Sequence, residues 1–132
     1  MAYEFSNAAV KTTFTAGEDL SAAQFKFVKV DNGTGNVVAV SGATDRPVGV
    51  LQNAPTSGQA AEVTIVGGTK VKAGGSASAG QPLFSNGSAL GITLAYGATG
   101  SAAFVVGAFI EVAASGSIVS AVINCAAPGR GL

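Results

Sequence analysis

Residues Arg46 to Phe84, RPVGVLQNAPTSGQAAEVTIVGGTKVKAGGSASAGQPLF, decide the fold. They read as short β-strands separated by Gly-rich turns, with almost no reactive side chain on them. Arg46-Pro47-Val48-Gly49-Val50-Leu51 opens a strand, Thr56-Ser57-Gly58-Gln59 reverses it, and Glu62-Val63-Thr64-Ile65-Val66 returns. Gly67-Gly68 is expected to turn the chain again before Lys70-Val71-Lys72. Glycine adopts positive φ without a steric penalty, so a polar, Gly-containing break between alternating segments is a hairpin signal.

The same grammar extends in both directions. Upstream, Gln24 to Val30 predicts a strand with Phe25 and Phe27 on one face and Lys26, Val28 and Val30 on the other. Asp31-Asn32-Gly33-Thr34-Gly35-Asn36 predicts a turn, Val37 to Val40 the return strand, and Ser41 to Asp45 a second turn. Glu18 to Gln24 carries one turn of helical character. Downstream, Asn86-Gly87 predicts a hairpin turn and Leu90 to Leu94 a strand; Ala103 to Ala113 and Ser117 to Asn124 follow as strands. About eight to ten short strands with no sustained helical period predict an all-β chain, a small single-domain β-barrel or β-sandwich. That domain is expected over residues 16–132, after an extended N-terminal arm over residues 1–15. No repeat of fixed period is present, which excludes a solenoid. In the arm, Tyr3, Phe5 and Phe14 have two readings: an edge strand of the domain, or anchors that dock into a neighbour.

The composition excludes more chemistry than it suggests. Of 132 residues, 48% are hydrophobic and only 11% charged, and the mean hydropathy is +0.46. Much of the apolar content is Ala and Val, whose small side chains bury little area each. Few charges keep such a surface solvated, so a subunit that hides part of it in an oligomer or on a larger body is expected. Seven basic residues balance seven acidic ones. The nearest basic pairs, Lys26 with Lys29 and Lys70 with Lys72, are too sparse to displace counterions from nucleic acid, so no nucleic-acid partner is expected.

Histidine is absent, which removes Ser-His-Asp and Cys-His catalysis and His-ligated metals together. The seven carboxylates form no motif, and Asp31, Asn32 and Asp45 lack EF-hand spacing. Asn32-Gly33 is explained by the turn it makes. The Gly-rich loop Ala73 to Gly80 feeds Pro82 and a β-segment, not a helix, so it does not read as a phosphate cradle. Cys125 is the lone cysteine; without a His to act as base it reads as a small buried apolar residue. No enzyme, no catalytic residue, no metal and no cofactor is expected. The N-terminal residues lack the basic and apolar regions of a secretory signal. Ser101 to Ala127 carries only Glu111 as a charge, but Ser115-Gly116-Ser117 reads as a turn between two strands, so no membrane span is expected.

Assembled in order, these pieces resemble the small capsid decoration (cement) proteins of tailed bacteriophages, the head-decoration or head-fibre-type family. The residues that carry the resemblance are Ala16 to Ala22, Asp45 to Gln52, Gly58 to Val66, Val71-Lys72-Ala73-Gly74 and Ala79-Gly80-Gln81-Pro82-Leu83. An Ala/Gly-rich end containing Gly107 follows them. The likeness runs from about Ala16 onward and rests on the order and spacing of common residues. It implies a non-enzymatic β-protein, made in the bacterial host cytoplasm, that sits as a homotrimer on the outer capsid surface of the virion. There it would clamp neighbouring subunits of the major capsid protein. Tyr3, Phe5 and Phe14 are the candidate capsid contacts. Phe104, Phe109 and Ile118, at the most apolar end, are the candidate trimer interface, each with plain domain core as its alternative. Two other non-enzymatic readings stand beside it. A carbohydrate- or receptor-binding β-module at a virion or cell surface predicts exposed aromatics grouped on one face. A self-assembling shell or tail-tube subunit predicts filaments or closed shells from the purified chain.

Overall fold

The computed structural model describes residues 9–94 and 103–130, and over these the protein is all-β. The strands are β1 (Val10–Thr15), β2 (Phe27–Val30), β3 (Val37–Ala39), β4 (Gly49–Leu51), β5 (Ala60–Lys72) and β6 (Pro82–Ser85). They continue with β7 (Gly91–Ile92), β8 (Phe104–Val105), β9 (Gly107–Phe109), β10 (Ile118–Asn124) and β11 (Gly129–Arg130). Nine of them form one curled antiparallel sheet in the order β3-β2-β4-β5-β10-β9-β6-β7, with β1 also on β5. Strands β8 and β11 make a separate two-stranded ribbon. Of the segment read as arm or edge strand, Val10–Thr15 is therefore paired, with Lys11 opposite Thr64 and Thr15 opposite Ala60.

Strand β5 organises the rest. It runs unbroken for 13 residues, so the turn expected at Gly67-Gly68 is not there. What the glycines provide is room. Gly67 has φ +124, and a Cβ on it would meet Ala9 Cβ at 2.9 Å. Next to it the register with β1 slips: Val10 faces Val66 but Lys11 faces Thr64, so Ile65 is a bulge residue. Bulges bend a strand and increase its twist. Thr64 is opposite both Lys11 and Val50, and Val66 is opposite both Val10 and Asn124. Strand β1 thus covers one edge, while β4 and then β10 follow each other along the other.

The bend divides the interior into two clusters. One gathers Phe27, Val50, Val71, Leu83, Val106, Phe109 and Ile123; the other gathers Leu20, Val28, Val37, Leu51 and Val63. Ile65 and Ala39 pack against both, so the bulge residue bridges the two. Burying a Phe or Leu side chain of this kind contributes about 1.5–3 kcal/mol. The curl brings the start of β2 to the far end of β5, where Lys72 N donates to Phe25 O at 2.9 Å and Phe27 N to Ala89 O at 2.9 Å.

Most of the expected turns form. Asp31 N donates to Asn36 O across the β2–β3 hairpin, with Gly35 at φ +76. Gly58 at φ +85 closes the β4–β5 turn, where Gln59 N reaches Thr56 O. Two local expectations change. Glu18 to Gln24 makes no helix; Asp19 accepts from Ser21 N and two short turns follow, Ala23 N to Leu20 O and Lys26 N to Ala23 O. Phe25 precedes β2 and takes φ 64, so its alternation with Phe27 breaks; Phe27 and Val28 are both fully buried, on opposite faces.

The loop that delivers the chain to β4 is organised by one carboxylate. Asp45 Oδ2 accepts from Lys29 Nζ at 2.7 Å, Gly42 N at 2.9 Å and Ser41 N at 3.2 Å. The Lys29 hydrogen bond, reinforced by the backbone donors against some desolvation, holds the Asp45 carboxyl below its ordinary 3.8. A depressed folded value means stabilisation that is fully present above the ordinary carboxylate range and is lost as pH falls through the folded value. Asp45→Asn is expected to cost about 1 kcal/mol in urea melts at neutral pH. Its deficit should shrink in melts taken at acid pH, below the ordinary carboxylate range. An equal deficit at both pH values would assign the effect to something other than this charge.

Candidate interaction surfaces

Residues opposite one another in a sheet project to the same face. The pairings therefore define the outer surface of the central strands. Pro82 faces Ala108, Ala108 faces Val122, and Val122 faces Gly68, giving an apolar row across β6, β9, β10 and β5. Ile118 opposite Lys72 and Ser120 opposite Lys70 border it on one side. Asn124, Val66 and Val10 border it on the other. Val10 (51%), Ile118 (52%) and Val122 (43%) are exposed there, three of the five exposed large hydrophobics among the described residues, so the apolar exposure is concentrated. The inward partners confirm the parity: Leu83, Phe109, Ala121, Ile123 and Val71 are buried.

Glu111 finishes this face. Its Oε1 accepts from Ser120 N at 2.5 Å, beside the rung in which Ile110 N donates to Ser120 O. Hydrogen bonds from Ser120 hold the Glu111 carboxyl below its usual range.

The residues singled out from the sequence separate accordingly. Ile118 lies on the exposed apolar face. Phe109 points the other way and is fully buried in the larger cluster, so it has no surface to offer a partner; it is core, as its alternative reading had it. Phe104 is half-buried against the same cluster, and Phe14 is half-buried against the smaller one. Tyr3 and Phe5 lie outside the described residues. Val10, Val122, Ala108 and Pro82 were not singled out, because cross-strand register alone brings them together.

Cys125 is buried, and burial pushes its thiol up to about 12 against the opposing charge of Arg46. Reactivity requires the thiolate. The native protein is expected to leave Cys125 untouched by a thiol-specific disulfide reagent at pH 8 and to react fully in denaturant. Rapid native labelling would mean that this region opens. Among the described residues no three His, Cys, Asp or Glu side chains group as a metal site, and no helix is long and apolar enough to cross a membrane. Of the apolar stretch Ser101 to Ala127, the described residues 103–127 carry β8, β9 and β10.

No family model and no curated protein matches the chain. Among solved structures, the N base of head fiber gp8.5 of bacteriophage phi29 superposes with a TM-score of 0.62, covering 93% of this chain and 98% of that one. The fold is that of a phage head-fibre base. Sequence identity is 18%, so the two chains share an architecture across nearly their whole lengths with few residues in common. The resemblance drawn from the sequence to phage head-decoration and head-fibre proteins is thereby met at the level of fold.

Proposed function

We propose that this chain is a structural protein of a tailed-phage head, a non-enzymatic trimer that sits on the outer face of the assembled shell and clamps neighbouring major capsid subunits. The observation that carries the reading is the agreement in fold, over 93% of this chain and 98% of the other, with a protein described as a head fiber base. The concentrated apolar exposure at Val10, Ile118 and Val122 supports self-association through that face, with Ile118 kept and Phe109 replaced by Val122 as seam residues. Tyr3, Phe5 and Phe14 stay as proposed capsid contacts; Phe14 is half-buried.

The mechanism is multivalent. Three linked weak contacts give an avidity far above any one of them. A trimer that binds only the expanded lattice stabilises that lattice by linkage, and the shell resists internal DNA pressure. The test is mass spectrometry of gradient-purified particles from the source, quantified against the major capsid protein. A stoichiometric presence on the order of hundreds of copies per particle is expected for a shell component. Absence from particles overturns the reading.

A further inference from the structure

Where Ala9 leads into β1, the surface dips into a concavity of ≈ 330 Å³ lined by Ala9, Lys11, Phe25, Gln52, Gly68 and Lys70, with Thr64 and Thr69. Three features distinguish it from an ordinary dip. First, two ammonium-bearing side chains contribute to the lining and no carboxylate does. Lys70 Nζ stands 5.9 Å from the centroid of the Phe25 ring, within cation–π reach.

Second, Phe25 is held at φ 64, a left-handed conformation costly for a bulky side chain. Two backbone hydrogen bonds fix it there, Phe25 N to Leu51 O at 2.7 Å and Lys72 N to Phe25 O at 2.9 Å. The strain aims a half-buried ring into the concavity, where regular β-geometry would have placed it on the face of Phe27. Third, the polar wall is rigid: Gln52 Nε2 donates to Thr69 Oγ1 at 2.8 Å and to Val50 O at 3.1 Å. Gly68, which faces Val122 in the apolar row, completes the lining.

A concavity with two cations, an aromatic wall and no acid attracts an anion that has an apolar neighbour. Two local cations on a chain of zero net charge are too few for a polyphosphate backbone, which favours a single carboxylate. We propose that this concavity receives an Asp or Glu side chain from an extended segment of a partner protein. Its carboxylate lies between Lys11 and Lys70, and an adjacent apolar residue lies on the Phe25 ring. The inference concerns the partner's chemistry and holds whether or not that partner is a capsid.

The test titrates an acetylated, amidated Ser-Phe-Glu-Ser peptide, and its Gln counterpart, into the isotope-labelled full chain followed by amide shifts. Shifts are expected at Lys11, Gly68, Thr69 and Lys70, with the Gln peptide at least about tenfold weaker and the Glu peptide weakened by about 0.3 M salt. The Lys11→Gln/Lys70→Gln variant should lose a similar factor while keeping its fold and oligomeric state. Phe25→Gly, which accepts the left-handed φ, should keep the fold and lose binding too. Equal binding of both peptides, or shifts elsewhere, overturns the proposal. So does loss of the oligomer in the lysine variant, which would assign the concavity to a neighbouring copy. Tighter peptide binding by a Glu4→Gln chain would make the chain's own N-terminal segment the occupant, and stronger binding of a short single-stranded DNA would make it phosphate. Either result replaces the partner carboxylate.

Discussion

Gly107→Ala is expected to destroy the native fold at physiological temperature. A Cβ at Gly107 would sit 1.9 Å from Val122 O and 2.9 Å from Ile123 Cα, both backbone atoms of β10. No rotamer change relieves a clash with backbone. Because Gly107 pairs with Ile123, the alternative is to pull β9 off β10, and that takes the core side chain of Phe109 with it. Costs of more than about 4 kcal/mol are exceptional for one substitution and arise from mechanisms of this kind. That is a large part of the roughly 5–15 kcal/mol that stabilises a domain. The expected result is insoluble protein, or a thermal midpoint lowered by about 15 °C or more in circular dichroism. Gly49→Ala, with its Cβ 2.3 Å from Thr64 O, should rank beside it. Gly75→Ala, which meets nothing within 4 Å, should lie within about 0.5 kcal/mol of the parent. A Gly107→Ala protein that melts within a few degrees of the parent would mean that the β9–β10 contact is looser than described.

Such contrasts among glycines mark what is legible in the chain and what is not. The turns at Asp31 to Asn36 and Thr56 to Gln59 have local causes, an Asx-type side chain and a glycine at positive φ, and local causes are visible in sequence. Gly67-Gly68 looks the same on paper. Its reason is distant: Ala9 passes over Gly67, and the strand must bend without stopping. Phe25 gives no signal at all, since nothing about a phenylalanine between Gln24 and Lys26 announces a left-handed residue. The hairpin at Asn86 was legible for the right residue and the wrong reason. Asn86 Oδ1 accepts from Ser88 N and Leu90 N, and Ala89, not Gly87, holds positive φ.

The candidate surface divides in the same way. An apolar C-terminal third was visible in composition, and it contains Ile118 and Val122. Which side chains face out is a matter of register, where a shift of one residue exchanges the faces. Phe109 and Ile118 look equivalent in sequence; the pairing of Ala121 with Phe109 and of Lys72 with Ile118 sends one inward and the other out.

Ile118→Glu/Val122→Glu is expected to leave a folded monomer that no longer attaches to phage heads. Both side chains are about half exposed, so neither substitution removes core, and Glu at position 118 would stand opposite Lys72. Exposed changes of this type cost within about 0.5 kcal/mol, and an opposite-charge cross-strand pair returns a few tenths. Across a subunit contact the balance reverses, because each copy would bury two carboxylates against apolar row residues, and the one at position 122 stands opposite Gly68 with no cation to pair it. An unpaired buried charge costs about 3–5 kcal/mol, and a closed trimer repeats the contact at every seam. Light scattering after size exclusion should therefore move from three copies of the 12.8 kDa chain, about 38 kDa, to one. The far-ultraviolet spectrum should stay unchanged. Head attachment should fall by a factor of about 10²–10⁴, since avidity is lost even where every single contact survives. A variant that remains trimeric would move the seam off this face. A parent chain that is itself monomeric at micromolar concentration would remove the trimer from the proposal, and attachment to heads would then depend on one contact per chain.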